Sequence, residues 1–305
     1  MQSHLLDRIH THQNRATNVK VVFADIVSYS KRRSQTQAEV VDAFMQAMRQ
    51  SLDDTASRLI KYLQSNDFNF ESDVIRIPSG DGAAIVFPFE GIHDVHLEFA
   101  KNLLKRISAH NDAGSCDKFN DQGWCNCHPF FKIKVGVAEG KVILYKDLNG
   151  NYNIAGTAIN MAARVMGLAD ANQVIFTEDA YRQLIDLVDD PTLDQKFIEF
   201  RSAQIKHSLS INVYQFIDKS LPYLNSVPTE SLTMMQRVTA ISKQLNSLGL
   251  PMIGPPDNIK FDKNATVNLI EGIAKLLSEQ QPDPVKPKKS PIEIKSHKKA
   301  GNKEA

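Results

Sequence analysis

Two apolar runs within Asp73 to Phe89 flank Gly80-Asp81-Gly82. Glycine tolerates positive φ and Asp favours turns, so this pattern predicts a hairpin with Asp81 at its tip. Around it, strand-like and helix-like stretches alternate without regular βαβ spacing. That favours an α+β fold, a layer of helices over a mostly antiparallel sheet.

The block Val19 to Phe23 is β-branched and aromatic, as a buried strand should be, and Asp25 follows at its end. A carboxylate at the edge of an apolar strand needs a partner, a cap to make or a metal. Residues 31–63 carry apolar side chains at Val41, Phe44, Met48, Leu52, Leu59 and Leu63, the stripe of one long core-facing helix. A second helix is expected over 93–111. FFKIKVGVAEGKVILYK, with Gly136 and Gly140, predicts two strands around a tight connection. A strand, a Thr177-capped helix and a last antiparallel pair (KFIEF and INVYQFI) follow, with Lys206 and His207 between the members of that pair.

The stretch NYNIAGTAINMAAR, residues 151–164, has Gly156 for a turn and Thr157 as a candidate helix cap. Asn160 and Arg164 stand one turn apart and project an amide and a guanidinium from one face. A helix start followed by a forked cation suits a polyanion, although an ordinary amphipathic helix shows the same pattern.

The whole chain of 305 residues carries a net charge of only +1, so no global field points to nucleic acid or to a membrane surface. No apolar run approaches the ~20 residues of a membrane span, and a cytoplasmic protein is expected. Three cysteines are too few for a disulfide framework. Cys116, Cys125, Cys127 and His128 offer four soft ligands in a short span, but at no standard zinc spacing, and reduced loop cysteines are the plainer expectation. Residues 1–18 form an N-terminal arm. Residues 218–281 include two apolar helical stripes, a predicted hairpin over about 229–279, and 282–305 is a basic tail expected to be disordered.

Taken together, Asp25-Ile26, Gly-Asp-Gly at Asp81, Val-Gly-Val-x-x-Gly over 135–140 and Asn-Ile-x-Gly-x-x-Ile-Asn-x-Ala-x-Arg over 153–164 occur in an order that resembles the class III nucleotidyl cyclases. The resemblance runs over residues 19–217 and implies a ferredoxin-like βαββαβ catalytic core. It implies that Asp25, Asp81 and the Ile26 carbonyl hold two divalent metal ions (Mn²⁺ or Mg²⁺). Backbone N–H groups of Val27, Ser28 and Tyr29 would wrap the terminal phosphates of a nucleoside triphosphate. Asn160 would fix the ribose, Arg164 would stabilise charge on the α-phosphate, and Lys206 would bind phosphate. Phe23, Ile77 and Asn153 complete the expected substrate-binding set. In the family, carboxylates and the Asn/Arg pair of one site come from different protomers, so a homodimer with two composite sites is implied.

The purine-reading positions depart from the family. Adenylyl cyclases have Lys and Asp there, and guanylyl cyclases Glu and Cys; this chain has Ile77 and Asn153. Pro78 leaves open a bulge that would turn Arg76 inward instead. Lacking both purine codes, the chain resembles the bacterial pyrimidine cyclases of the Pycsar anti-phage system. They make cyclic UMP or cyclic CMP for a separate effector that need not touch the cyclase. An atypical purine cyclase and a non-catalytic nucleotide-binding regulator are the alternatives.

Overall fold

The computed structural model describes residues 5–11, 16–66, 68–205, 209–230 and 232–233. The predicted C-terminal hairpin, the basic tail and Lys206 lie outside these residues. The order is α1 (Leu5–Thr11), β1 (Thr17–Ile26), α2 (Ser34–Ser65), α3 (Phe70–Asp73), β2 (Ile75–Ser79) and β3 (Gly82–Phe87), then α4 (Val95–Asn111), α5 (Asp117–Gln122) and β4 (Ile133–Lys146). It continues with β5 (Tyr152–Gly156), α6 (Thr157–Met166), β6 (Val174–Thr177), α7 (Glu178–Leu187), β7 (Phe197–Ile205) and β8 (Leu209–Phe216).

One sheet runs β2-β3-β1-β4-β6-β8-β7, with β5 paired to the far end of β4. Its first four strands, with α2 and α4 as the crossovers, are the ferredoxin-like βαββαβ unit expected from the sequence. β1 lies between β3 and β4 and pairs antiparallel with both. Helices cover both of its faces, so it reads as a nearly continuous apolar run rather than an alternating one. Val22, Ala24 and Ile26 enter the core beneath α2 and α4 together with Phe44, Phe99 and Leu103. Val19, Val21 and Phe23 enter the opposite layer, beneath α6, with Ala158 and Ala162. Burying a Val- or Phe-sized side chain stabilises by roughly 1.5–3 kcal/mol, so this central strand anchors both layers.

Two expectations are corrected. Ile133–Lys146 is a single strand, not two around a turn. Gly136 sits within it because α6 lies so close that a Cβ there would stand 2.1 Å from the Ala162 carbonyl oxygen. The glycine marks helix-on-sheet contact, not chain reversal. Nor does Thr157 cap α6: Gly156 occupies the N-cap position and Thr157 is the first helical residue. The cap expected at Thr177 is present, its Oγ1 accepting from Ala180 N at 3.4 Å. The β2–β3 register runs unbroken from Ile75 to Ser79, so Pro78 makes no bulge on this edge strand. Arg76 turns to Glu71 at 2.9 Å and does not enter the site. No helix among the described residues is long and apolar enough to cross a membrane.

Candidate active site

The carboxylate pair is built by the hairpin. Near the end of β1, Asp25 lies opposite Gly82 on β3 and Lys134 on β4. The turn before Gly82 carries Asp81, whose carbonyl accepts from Ile26 N at 3.3 Å. Gly82 is required at this contact. A Cβ there would lie 2.7 Å from the Ala24 carbonyl and 2.9 Å from Asp25 Oδ1. The Asp25 carboxyl is pushed up to about 6 by burial and by the neighbouring Asp81 carboxylate, with Lys134 opposing the shift. Two acidic groups crowded at a strand end, one of them half-buried and reluctant to ionise, form an oxygen donor set suited to a hard divalent cation. Lys134 was not foreseen, because its proximity depends on the β1–β4 register.

In the segment after β1, Val27 donates its N–H to Lys132 O at 2.9 Å. Ser28 adopts the left-handed conformation, φ 56°, and opens a short 3₁₀ turn over Tyr29–Lys31. The Ser28 and Tyr29 N–H groups have no acceptor among the described residues. A non-glycine residue at positive φ is uncommon and tends to mark functional turns.

α6 presents two faces. Ala158, Ala162 and Val165 are buried toward the sheet. At about 100° per residue, Asn160 and Arg164 stand roughly opposite that stripe and point away from their own sheet. Asn160 is exposed and its Nδ2 donates to the Gly156 carbonyl at 3.2 Å. Arg164 is half-buried and forms no ion pair among the described residues. By strand alternation Asp25 emerges on the same side of the sheet as Phe23, the side that α6 covers. Both halves of the predicted chemistry thus face one surface.

The base-reading positions are separate from these. Ile77 lies on β2 opposite Ala84, and Phe23 pairs Ala84 from the other side, so the two flank one row of the sheet. Asn153 is half-buried on β5 opposite Tyr145. Its Oδ1 accepts from Ile154 N at 2.7 Å, which leaves the Nδ2 group without a partner among the described residues. Recesses of about 310, 500 and 280 Å³ occur on this chain, and none is lined by any of these site residues.

The sequence model of the adenylate and guanylate cyclase catalytic domain matches residues 11–215. That is most of the chain, and the protein belongs to this family: it carries a nucleotidyl cyclase catalytic domain. Among solved structures it is similar to the guanylate cyclase domain of RhGC from Catenaria anguillulae, solved in complex with GTP. The identity is 17%, covering 66% of this chain and 96% of that one, with a TM-score of 0.45. It is also similar to an adenylate/guanylate cyclase/hydrolase from Silicibacter pomeroyi, at 15% identity, 67% and 99% coverage and a TM-score of 0.45. The adenylyl cyclase CyaB from P. aeruginosa shares 15% identity over 70% of this chain and 98% of that one, with a TM-score of 0.42. Among curated proteins, none matches the chain.

Proposed function

We propose that this protein cyclises a pyrimidine nucleoside triphosphate, UTP ahead of CTP, to the 3′,5′-cyclic monophosphate and pyrophosphate, in a composite site at a homodimer interface. The observation that carries the composite site is the orientation of α6. Asn160 and Arg164 point away from the sheet that holds Asp25 and Asp81, so they serve the carboxylates of a facing protomer.

In the reaction the ribose 3′-oxygen attacks the α-phosphorus, the bond to pyrophosphate breaks, and the 3′-hydroxyl proton leaves to solvent. Asp25, Asp81 and the Ile26 carbonyl would hold two divalent ions, Mn²⁺ or Mg²⁺, which when bound lower the pKa of the hydroxyl and neutralise phosphate charge. The Ser28 and Tyr29 N–H groups bind terminal phosphate oxygens at the left-handed turn. Asn160 orients the ribose, and the Arg164 guanidinium stabilises the charge that grows on the α-phosphate. Lys206 is assigned to the polyphosphate.

The base assignment rests on Ile77 and Asn153. Ile77 fills space and offers no hydrogen bond, which favours the smaller base. With its Oδ1 taken by Ile154 N–H, Asn153 presents the amide donor, which suits a uracil carbonyl better than the cytosine amine. A cyclic pyrimidine nucleotide would act as a second messenger for a separate effector, in the manner of bacterial anti-phage signalling.

Product analysis with UTP, CTP, ATP and GTP tests this reading. UTP should give the largest kcat/KM, and Asn153→Asp should lower it ~10-fold or more by replacing the donor with an acceptor. Fastest turnover of ATP or GTP would overturn the pyrimidine assignment, and no turnover of any of the four would overturn the enzyme.

A further inference from the structure

The loop between α4 and β4 carries chemistry that the cyclase reading does not use. Three cysteine sulfurs and an imidazole nitrogen, from Cys116, Cys125, Cys127 and His128, all lie within 4.8 Å of one another. Cys116 Sγ and Cys127 Sγ are 3.1 Å apart, and all three cysteines are free thiols. The four ligands stand close in the chain but at no standard zinc spacing; they converge because the short helix α5 folds the intervening residues back on themselves.

That framework is ordered from beneath. Cys125 is buried and packs with Phe119 and Phe130 in a small apolar cluster. The His128 ring stacks on Phe130 with centroids 4.9 Å apart. Gly123, at φ 76°, closes α5 by donating to Phe119 O at 2.8 Å. Asn111 clamps the far end of the loop through both the N–H and the carbonyl of Phe131.

A second observation points the same way. Arg32 is only 4% exposed, and its Nη1 donates to the Cys125 carbonyl at 3.2 Å. Its Nε and Nη2 have no hydrogen-bond partner among the described residues. A buried guanidinium with two idle donors is costly unless negative charge lies beside it. Neutral thiols do not supply that charge. Three thiolates around a dication leave one net negative charge, next to this cation.

We infer that Cys116, Cys125, Cys127 and His128 form a structural zinc site whose charge is balanced by Arg32. Sulfur and imidazole donors select zinc over the oxygen-seeking ions of a carboxylate site, and four protein ligands leave no open position for catalysis. Sulfurs about 2.3 Å from zinc lie about 3.8 Å apart in a tetrahedron, so the cluster needs to adjust by only about 1 Å. Binding releases the thiol protons to solvent and changes no oxidation state. The site braces the turn that follows Asp25. Asn126 Oδ1, inside the cysteine loop, accepts from Arg33 N at 2.7 Å, and Gln37 Nε2 reaches the Arg32 carbonyl at 3.1 Å.

The test is elemental analysis of the full chain purified without chelator and desalted. About one equivalent of zinc per chain is expected. Cys116→Ser and Cys127→Ser should each lower it ~10-fold or more, while Asp25→Asn leaves it unchanged. Cobalt exchanged into the wild type should show thiolate charge-transfer and tetrahedral d–d bands, a readout independent of whether any variant folds. Protein that retains no zinc and gives no tetrahedral cobalt spectrum would overturn the site. A metal-free protein isolated with a Cys116–Cys127 disulfide would overturn it in favour of a redox-active thiol pair.

Discussion

Asp25 is held in a position that works against the stability of the metal-free fold. Its carboxyl titrates near 6 instead of 3.8, so the folded state prefers the protonated form. That preference contributes stability below the ordinary carboxylate pKa, and the contribution disappears as pH rises from about 4 through about 6. At neutral pH the ionised group costs on the order of 1–2 kcal/mol, after discounting for its partial exposure. Asp25→Asn should therefore be inactive yet melt about 2–4 °C higher than wild type in chelator at pH 7.5, with the gap closing below pH 4. Mn²⁺ should raise the wild-type melting temperature and leave that of the variant in place. A variant that melts lower than wild type in chelator would mean the carboxylate is satisfied without metal. Asp25 and Asp81 were legible in the sequence because an acid at the end of an apolar run, and another between turn glycines, stand out by type and place. Lys134 and the engaged Val27 N–H were not, since both depend on which residue of β4 lies opposite the end of β1.

Among the elements, α6 separates packing from chemistry by face. Gly136→Ala would push a methyl into the Ala162 carbonyl, lifting the helix or bending β4. A loss of about 3 kcal/mol or more is expected, read by chemical denaturation. Arg164→Ala should change stability by less than ~0.5 kcal/mol, because its guanidinium makes no ion pair among the described residues, while kcat falls ~10²–10³-fold. Equal losses in both measurements would assign Arg164 to the fold instead. The two faces of α6 could be read from spacing alone, since Ala158 and Ala162 recur at four residues while Asn160 and Arg164, also four apart, are each offset from them by two. β4 could not. A glycine within an apolar run looks the same whether it turns the chain or admits a helix, and only the partner element distinguishes the two.

At the scale of the molecule, the carboxylates and the Asn/Arg pair face the same way, and in the composite-site reading proposed above a nucleotide would be closed between two chains. Mixing inactive Asp81→Ala and Arg164→Ala chains should restore activity, because a heterodimer regains one intact site of its two. Heterodimers shown to form by native mass spectrometry but still inactive would rule out shared sites. A site shared in this way would also tie the rate to abundance. Where chains are scarce relative to their dissociation constant, the number of paired chains grows with the square of the total, so doubling expression quadruples output and a tenfold dilution lowers specific activity about tenfold. A cell could therefore keep such an enzyme silent simply by keeping it rare, and a modest rise in local concentration would start synthesis with no covalent signal at all.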